Sequence, residues 1–205
     1  MDGQAVEKEP MLLLDITGSM SEPASASGGI SRRELVHQAI GKIVEQLELQ
    51  DSQAEHEEEG GLMAVAFSRG RAYELEDLNT GNLAQKWSQI PWGGGTYIMP
   101  GWNKLIDVYM EEFGEEPPDQ RPLLMALVIT DGEAVDTDEF AGTLARARGG
   151  VYVVVALLGY GEEHDRAEAA YRRVADQNRG QVEVISFQNV TDADRIATTL
   201  LQMIG

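Results

Sequence analysis

Four uninterrupted apolar runs constrain what this chain can fold into: Met11 to Leu14, Leu62 to Phe67, Leu123 to Ile129 and Val151 to Leu158. None alternates with polar residues, so each reads as a strand buried on both faces, as in the middle of a parallel sheet. Val182 to Phe187 adds a last strand, and Ala72 to Leu75 reads as a short strand returning as a hairpin after the turn Arg69-Gly70-Arg71.

The intervening segments have helical spacing. Val36, Ala39, Ile40, Ile43, Val44 and Leu47 predict an amphipathic helix to about Leu49, opened by a capping box of Ser31 and Glu34. Thr80 is expected to cap a short helix running to about Ile90, and Pro100 suits the first turn of a helix to Phe113. Asp136 with Glu139 predicts a cap for a helix to about Arg148, and further helices cover Glu162 to Gln177 and Asp192 to Met203. Strands alternating with helices predict an α/β fold: a doubly wound, mostly parallel sheet with one antiparallel edge strand and helices on both faces. The expected organisation is a single domain over residues 1–205, without internal repeats.

Two of the strands end on carboxylates. After Leu14 come Asp15, Thr17 and Ser19, oxygen-bearing side chains at every second position, and in extended backbone these would converge on one point. Gly18 lets the chain bend there. After Ile129 come Thr130, Asp131 and Gly132, while three glycines, Gly93 to Gly95, lead into Thr96. If the strands around residues 14 and 129 are neighbours where strand order reverses, these groups meet in the crevice beyond the carboxyl ends of the strands. An all-oxygen cluster of this kind suits a small, hard cation.

Composition narrows the function. A net charge of −19 disfavours nucleic acid and anionic membrane as partners. The absence of cysteine excludes disulfides and thiolate metal sites. No apolar run approaches the roughly 20 residues that span a bilayer, so a cytoplasmic protein is expected. The acidic stretch Asp51 to Glu59 reads as a solvated loop without the ligand spacing of an EF-hand. His37, His56 and His164 share no ligand spacing and read as structural or exposed. Trp92, Tyr97 and Trp102 flank the glycine loop, Trp92 being the better candidate for an exposed anchor, and Glu133 is a candidate rim residue.

The three separated pieces, Asp15-x-Thr17-x-Ser19, Thr96 after glycines and Asp131-Gly132 after a strand, resemble the metal-ion-dependent adhesion site of von Willebrand factor A (vWA) domains, in order and over essentially the whole chain. The resemblance, to intracellular members in particular, implies that Thr17 and Ser19 bind a cation through their hydroxyls. It further implies that Thr96 is a direct or near-direct ligand, and that Asp15 and Asp131 hold the ion's waters. Thr17 departs from the more usual serine but keeps the hydroxyl. Mg2+ is the expected ion, with Mn2+ suiting the same donors and Ca2+ a looser cage. The implied partner is another protein offering an Asp or Glu to the metal, and such domains often act beside an ATPase or stress-response component. The implied function is therefore a divalent-cation-dependent interaction module rather than an enzyme. Two alternatives stay open: a metal-dependent phosphoester hydrolase, disfavoured because Thr17 stands where an aspartyl phosphatase has a second Asp, and a metal site that is purely structural.

Overall fold

The computed structural model describes residues 7–51, 61–147 and 150–205. His56 and all of the acidic stretch after Asp51 lie outside them. The elements run β1 (Lys8–Asp15), α1 (Arg32–Asp51), β2 (Leu62–Ser68), β3 (Arg71–Leu78), α2 (Leu83–Ser88), α3 (Met99–Phe113), β4 (Leu123–Thr130), α4 (Thr137–Arg146), β5 (Val151–Gly159), α5 (Gly161–Gln177), β6 (Val182–Gln188) and α6 (Ala193–Ile204), with a 3-10 turn at Gly18–Ser21.

The six strands form one sheet in the order β3-β2-β1-β4-β5-β6. Only β3 runs antiparallel, paired to β2. The chain travels outward from β1 through β2 to β3, returns to the far side of β1 as β4, and continues to β6. The reversal therefore falls between β1 and β4, where Leu14 pairs with Ile129 in parallel register, so the condition left open by the sequence is met. This juxtaposition puts the chain after Asp15 beside the chain after Thr130.

Alternate residues of each central strand feed opposite layers, because successive side chains leave a sheet on opposite faces. Leu12, Leu14, Leu127 and Ile129 pack with Val36, Ile40 and Ile43 of α1 and with Ile196 and Leu200 of α6. Leu13, Val65, Val128 and Val155 pack against Trp102 and Leu105 of α3, Phe140 of α4 and Tyr171 of α5. Full burial on both faces is why β1, β2, β4 and β5 read as unbroken apolar runs.

Two expected caps have other partners. Thr80 does not cap α2: its N–H and hydroxyl donate to the Glu48 carboxylate at 2.7 and 2.8 Å, while Asn79 accepts from the N–H groups of Gly81 and Asn82. Asp136 precedes α4 without capping it by its side chain. Its two carboxylate oxygens instead accept from the N–H groups of Ile98 and Met99, at 2.8 and 2.9 Å, and so cap the neighbouring α3. Ser31 does accept from the Glu34 N–H at 3.3 Å. Among the described residues no helix is long and apolar enough to cross a membrane.

Candidate metal centre

At the carboxyl edge of β1 and β4, side-chain oxygens and one backbone N–H, that of Thr17, form a series of hydrogen bonds. Asp15 is fully buried; its Oδ1 accepts from the Thr17 N–H at 2.8 Å and its Oδ2 from the Thr130 hydroxyl at 2.6 Å. The hydroxyls of Thr17 and Ser19 lie 3.2 Å apart. Ser19 donates to Asp131 Oδ1 at 2.9 Å, and Asp131 Oδ2 accepts from Arg32 Nη1 at 2.6 Å. Burial pushes the Asp15 carboxyl up to about 6, and the nearby charge of Asp131 adds to the rise.

The convergence of Asp15, Thr17 and Ser19 does not come from strand alternation. Thr17 keeps extended backbone, but Ser19 lies inside the 3-10 turn Gly18–Ser21, which swings its hydroxyl back over Thr17 and toward Asp131. A polar turn replaces the extended strand because Met20, next in sequence, is fully buried and pulls the chain into the core.

The glycine loop is fitted against this edge by its backbone. Gly93 N–H donates to Ile16 carbonyl at 2.8 Å, and Arg69 N–H donates to Gly95 carbonyl at 3.0 Å. The Ser68 hydroxyl donates to the Gly93 carbonyl. Gly94 has a φ of +97°, and a Cβ there would overlap Arg69 and Ser68 side-chain atoms, so this position requires glycine. Thr96, half-buried, follows directly; its carbonyl accepts from the Val135 N–H at 2.9 Å, which ties the glycine loop to the loop after Asp131. Four of the five predicted ligands, Asp15, Thr17, Ser19 and Asp131, are thus linked by hydrogen bonds, that between Asp15 and Thr17 through the Thr17 N–H, whereas Thr96 is held alongside through its backbone.

Two residues of the site were not singled out from the sequence. Thr130 is the last residue of β4 and lies across from Asp15; its position beside Asp131 is the signal. Arg32 is buried at the start of α1. Its signal is the pair Arg32-Arg33 in a first helical turn, where the helix dipole disfavours cations and a buried carboxylate is needed as compensation.

The flanking aromatics divide differently from expectation. Trp92 is half-buried, 5.3 Å from Trp87, with the Arg33 guanidinium 5.8 Å above its ring, so it is not the exposed anchor. Trp102 is in the core, edge-on to Phe140. Tyr97 and Val135 are the exposed apolar groups here, 41% and 72% accessible. Glu133 is exposed, 3.8 Å from Arg173. Two histidines lie in packing roles: His37 stacks on Trp87, and His164 is buried between the Leu158 carbonyl and the Ser186 hydroxyl.

Chemically, the donor set is two carboxylates and a majority of hydroxyls. Among the described residues no group of three or more His, Cys, Asp or Glu side chains is placed to hold a metal ion, so any such role here falls mainly to hydroxyl oxygens. The all-oxygen set fits a hard divalent cation.

No protein-family model matches the sequence, and no curated protein sequence matches it. Solved structures do. The chain superposes over 97% of its length on 95% of the SpRpn10 VWA domain, with a TM-score of 0.66 at 14% identity. It superposes over its whole length on the PilB minor pilin from Streptococcus sanguinis, with a TM-score of 0.68 at 12% identity, and spans 61% of that chain. Proximal thread matrix protein 1 from the mussel byssus, in a structure with a zinc-occupied MIDAS motif, matches 97% of this chain with a TM-score of 0.56 at 16% identity; the match covers 47% of that protein. The fold is therefore that of vWA domains.

Proposed function

We propose that this chain is a protein-interaction module whose recognition depends on a divalent cation, Mg2+ in the first instance, held by Thr17, Ser19 and Thr96 with Asp15 and Asp131 behind them. The observation that carries this reading is the continuous series from Thr130 through Asp15, Thr17 and Ser19 to Asp131 at the reversal of strand order. A neighbour of the same fold with a zinc-occupied MIDAS motif supports it. The ion, when bound, would supply an electrophilic centre able to accept a carboxylate oxygen.

The chain's own residues would do the rest. Asp15 and Asp131 place negative charge without filling the outer face. The hydroxyls of Thr17 and Ser19 contribute oxygens without charge, leaving the cation attractive to an incoming Asp or Glu. Tyr97 and Val135 offer apolar contact beside that carboxylate, and Glu133 sets which charges are accepted at the rim. The partner is a protein segment in which an acidic residue is flanked by apolar ones. Action beside an ATPase or stress-response component, in the cytoplasm, belongs to the same reading.

The hydrolase alternative has less support. Both oxygens of Asp15 are engaged in hydrogen bonds and the residue is fully buried, so it is not presented as a nucleophile. Titration calorimetry of Mg2+ and Mn2+ into metal-free protein tests the proposal, with Thr96→Ala and Ser19→Ala as controls. One saturable site, lost in the variants and tightened by acetate or an acidic peptide, is expected. Absence of saturable binding, with and without the peptide, would sink the reading.

A further inference from the structure

The residue that the metal reading does not absorb is Arg32. It reaches across from the first turn of α1 to Asp131, 99 positions later in sequence. Its side chain is 6% exposed and that of Asp131 is wholly buried, so the pair is shielded from solvent screening. The same Nη1 donates to the Ser19 carbonyl at 3.2 Å and lies 3.7 Å from Glu22. The guanidinium rests 5.6 Å from the Tyr160 ring centroid and against Gly159, whose φ is +113° and whose missing side chain leaves it room. Its Nε is buried without a hydrogen-bond partner. A cation in a first helical turn opposes the helix dipole, so neither helix propensity nor full hydrogen bonding accounts for this placement.

The geometry points to Arg32 as a tethered cation that competes electrostatically with the divalent ion for Asp131 and so sets the metal affinity of the site. With Arg32 in place, Asp15, Asp131 and the guanidinium leave one net negative charge, the largely exposed Glu22 aside, where the two aspartates alone would leave two. The guanidinium and a divalent ion at the Thr17 and Ser19 hydroxyls would face the same carboxylate from opposite oxygens, Oδ2 and Oδ1. Like charges facing one carboxylate in a protein interior repel, and the expected consequence is about a tenfold change in metal affinity. The consequence is a site that binds its ion weakly on its own and gains from the extra negative charge a partner carboxylate brings.

This inference rests on the metal reading proposed above, and the test separates the two. Mn2+ binding is measured by calorimetry and by electron paramagnetic resonance for the wild type, Arg32→Gln and Arg32→Lys. Arg32→Gln should bind Mn2+ about tenfold tighter or more, while Arg32→Lys, which keeps the charge, should stay within about threefold of the wild type. Thermal unfolding of the same proteins should show Arg32→Gln less stable without metal and more strongly rescued by Mn2+ than the wild type. Wild-type binding that is unchanged or weakened in Arg32→Gln would overturn the role of Arg32 and leave the metal reading standing. No binding in any of the three would overturn both. Should Arg32→Gln not fold, the wild-type Arg32 Nε–H resonance decides: it should move saturably as Mg2+ is added, and a resonance that stays fixed while metal binds would refute the competition.

Discussion

Asp15 and Asp131 belong to one cleft, at the ends of adjacent strands, and they are held in opposite ways. Asp15 is fully buried among neutral donors, a backbone N–H and a hydroxyl, and its carboxyl is pushed up to about 6 by burial and by Asp131. Asp131 has a hydroxyl on one oxygen and a guanidinium on the other. The same side chain at neighbouring strand ends is thus a costly charge in one case and half of an ion pair in the other. The difference lies in what reaches across from elsewhere in the chain: Thr130 from the next strand for Asp15, Arg32 from α1 for Asp131. It also predicts how the two positions respond when each is removed.

Asp131→Ala should have the largest effect. It strands a buried guanidinium whose Nε already lacks a partner, and breaking a buried pair in this way costs about 3–5 kcal/mol. Urea unfolding at neutral pH should show the loss, and the double variant Asp131→Ala/Arg32→Met should recover much of it. Failure of the double variant to recover stability would mean that the pair is not the source. Asp15→Ala removes a charge that burial disfavours, which offsets the two hydrogen bonds it forfeits. The expected loss is about 1–2 kcal/mol, clearly below that of Asp131→Ala. An equal or larger loss would break the contrast between the two carboxylates.

Asp136→Ala probes the wall that faces both. Its carboxylate caps α3 through two N–H groups and steadies the chain just after Thr96, so the loss should be about 1 kcal/mol with a weaker affinity for Mn2+. Hydrogen exchange at Ile98 and Met99 should accelerate. Unchanged exchange at those amides would show that the cap is not what holds them.

How much of this could be read from the chain follows from which interactions are local. Central strands were legible because burial on both faces writes unbroken apolar runs, whereas the reversal between β1 and β4 stayed a condition, because alternation with helices does not fix which strands pair. Asp15, Thr17, Ser19 and Asp131 were legible as a cluster because each follows the end of such a run. Thr80 was misassigned, and Asp136 holds the N-cap position of α4 but gives its carboxylate to α3, because a short polar side chain can satisfy the nearest helix start or one brought in by the fold. The extended path through Ser19 failed for a similar reason: burial of Met20 bends the chain one residue later. Arg32 escaped notice because its partner lies 99 positions away, just beyond β4, although two arginines at a helix start oppose the dipole.

The smallest expected effect concerns the charge on Asp15 itself. Its folded value of about 6 exceeds the ordinary 3.8, so the folded protein binds that proton more readily than the unfolded chain does. Stability then falls as pH rises between those values and increases as pH is lowered through about 6. Between about pH 7 and about pH 5 the metal-free protein should gain roughly 1 kcal/mol from this group, seen as a higher Tm in chelator-treated samples. Glu76 and Glu168 are shifted the other way by Lys86 and Arg172 respectively, so their contributions are lost only under more acidic conditions, outside that window. Asp15→Asn should flatten the response, whereas Asp131→Asn should lower the pH at which it occurs, because a neighbouring negative charge has been removed. Saturating Mn2+ should flatten it as well, since a cation favours the ionised carboxylate and moves the remaining pH dependence of this group to below about pH 4. A wild-type Tm that drops steadily over the same range, unaffected by Asp15→Asn, would mean that Asp15 stays ionised in the folded protein and that the two carboxylates differ less than their donors imply.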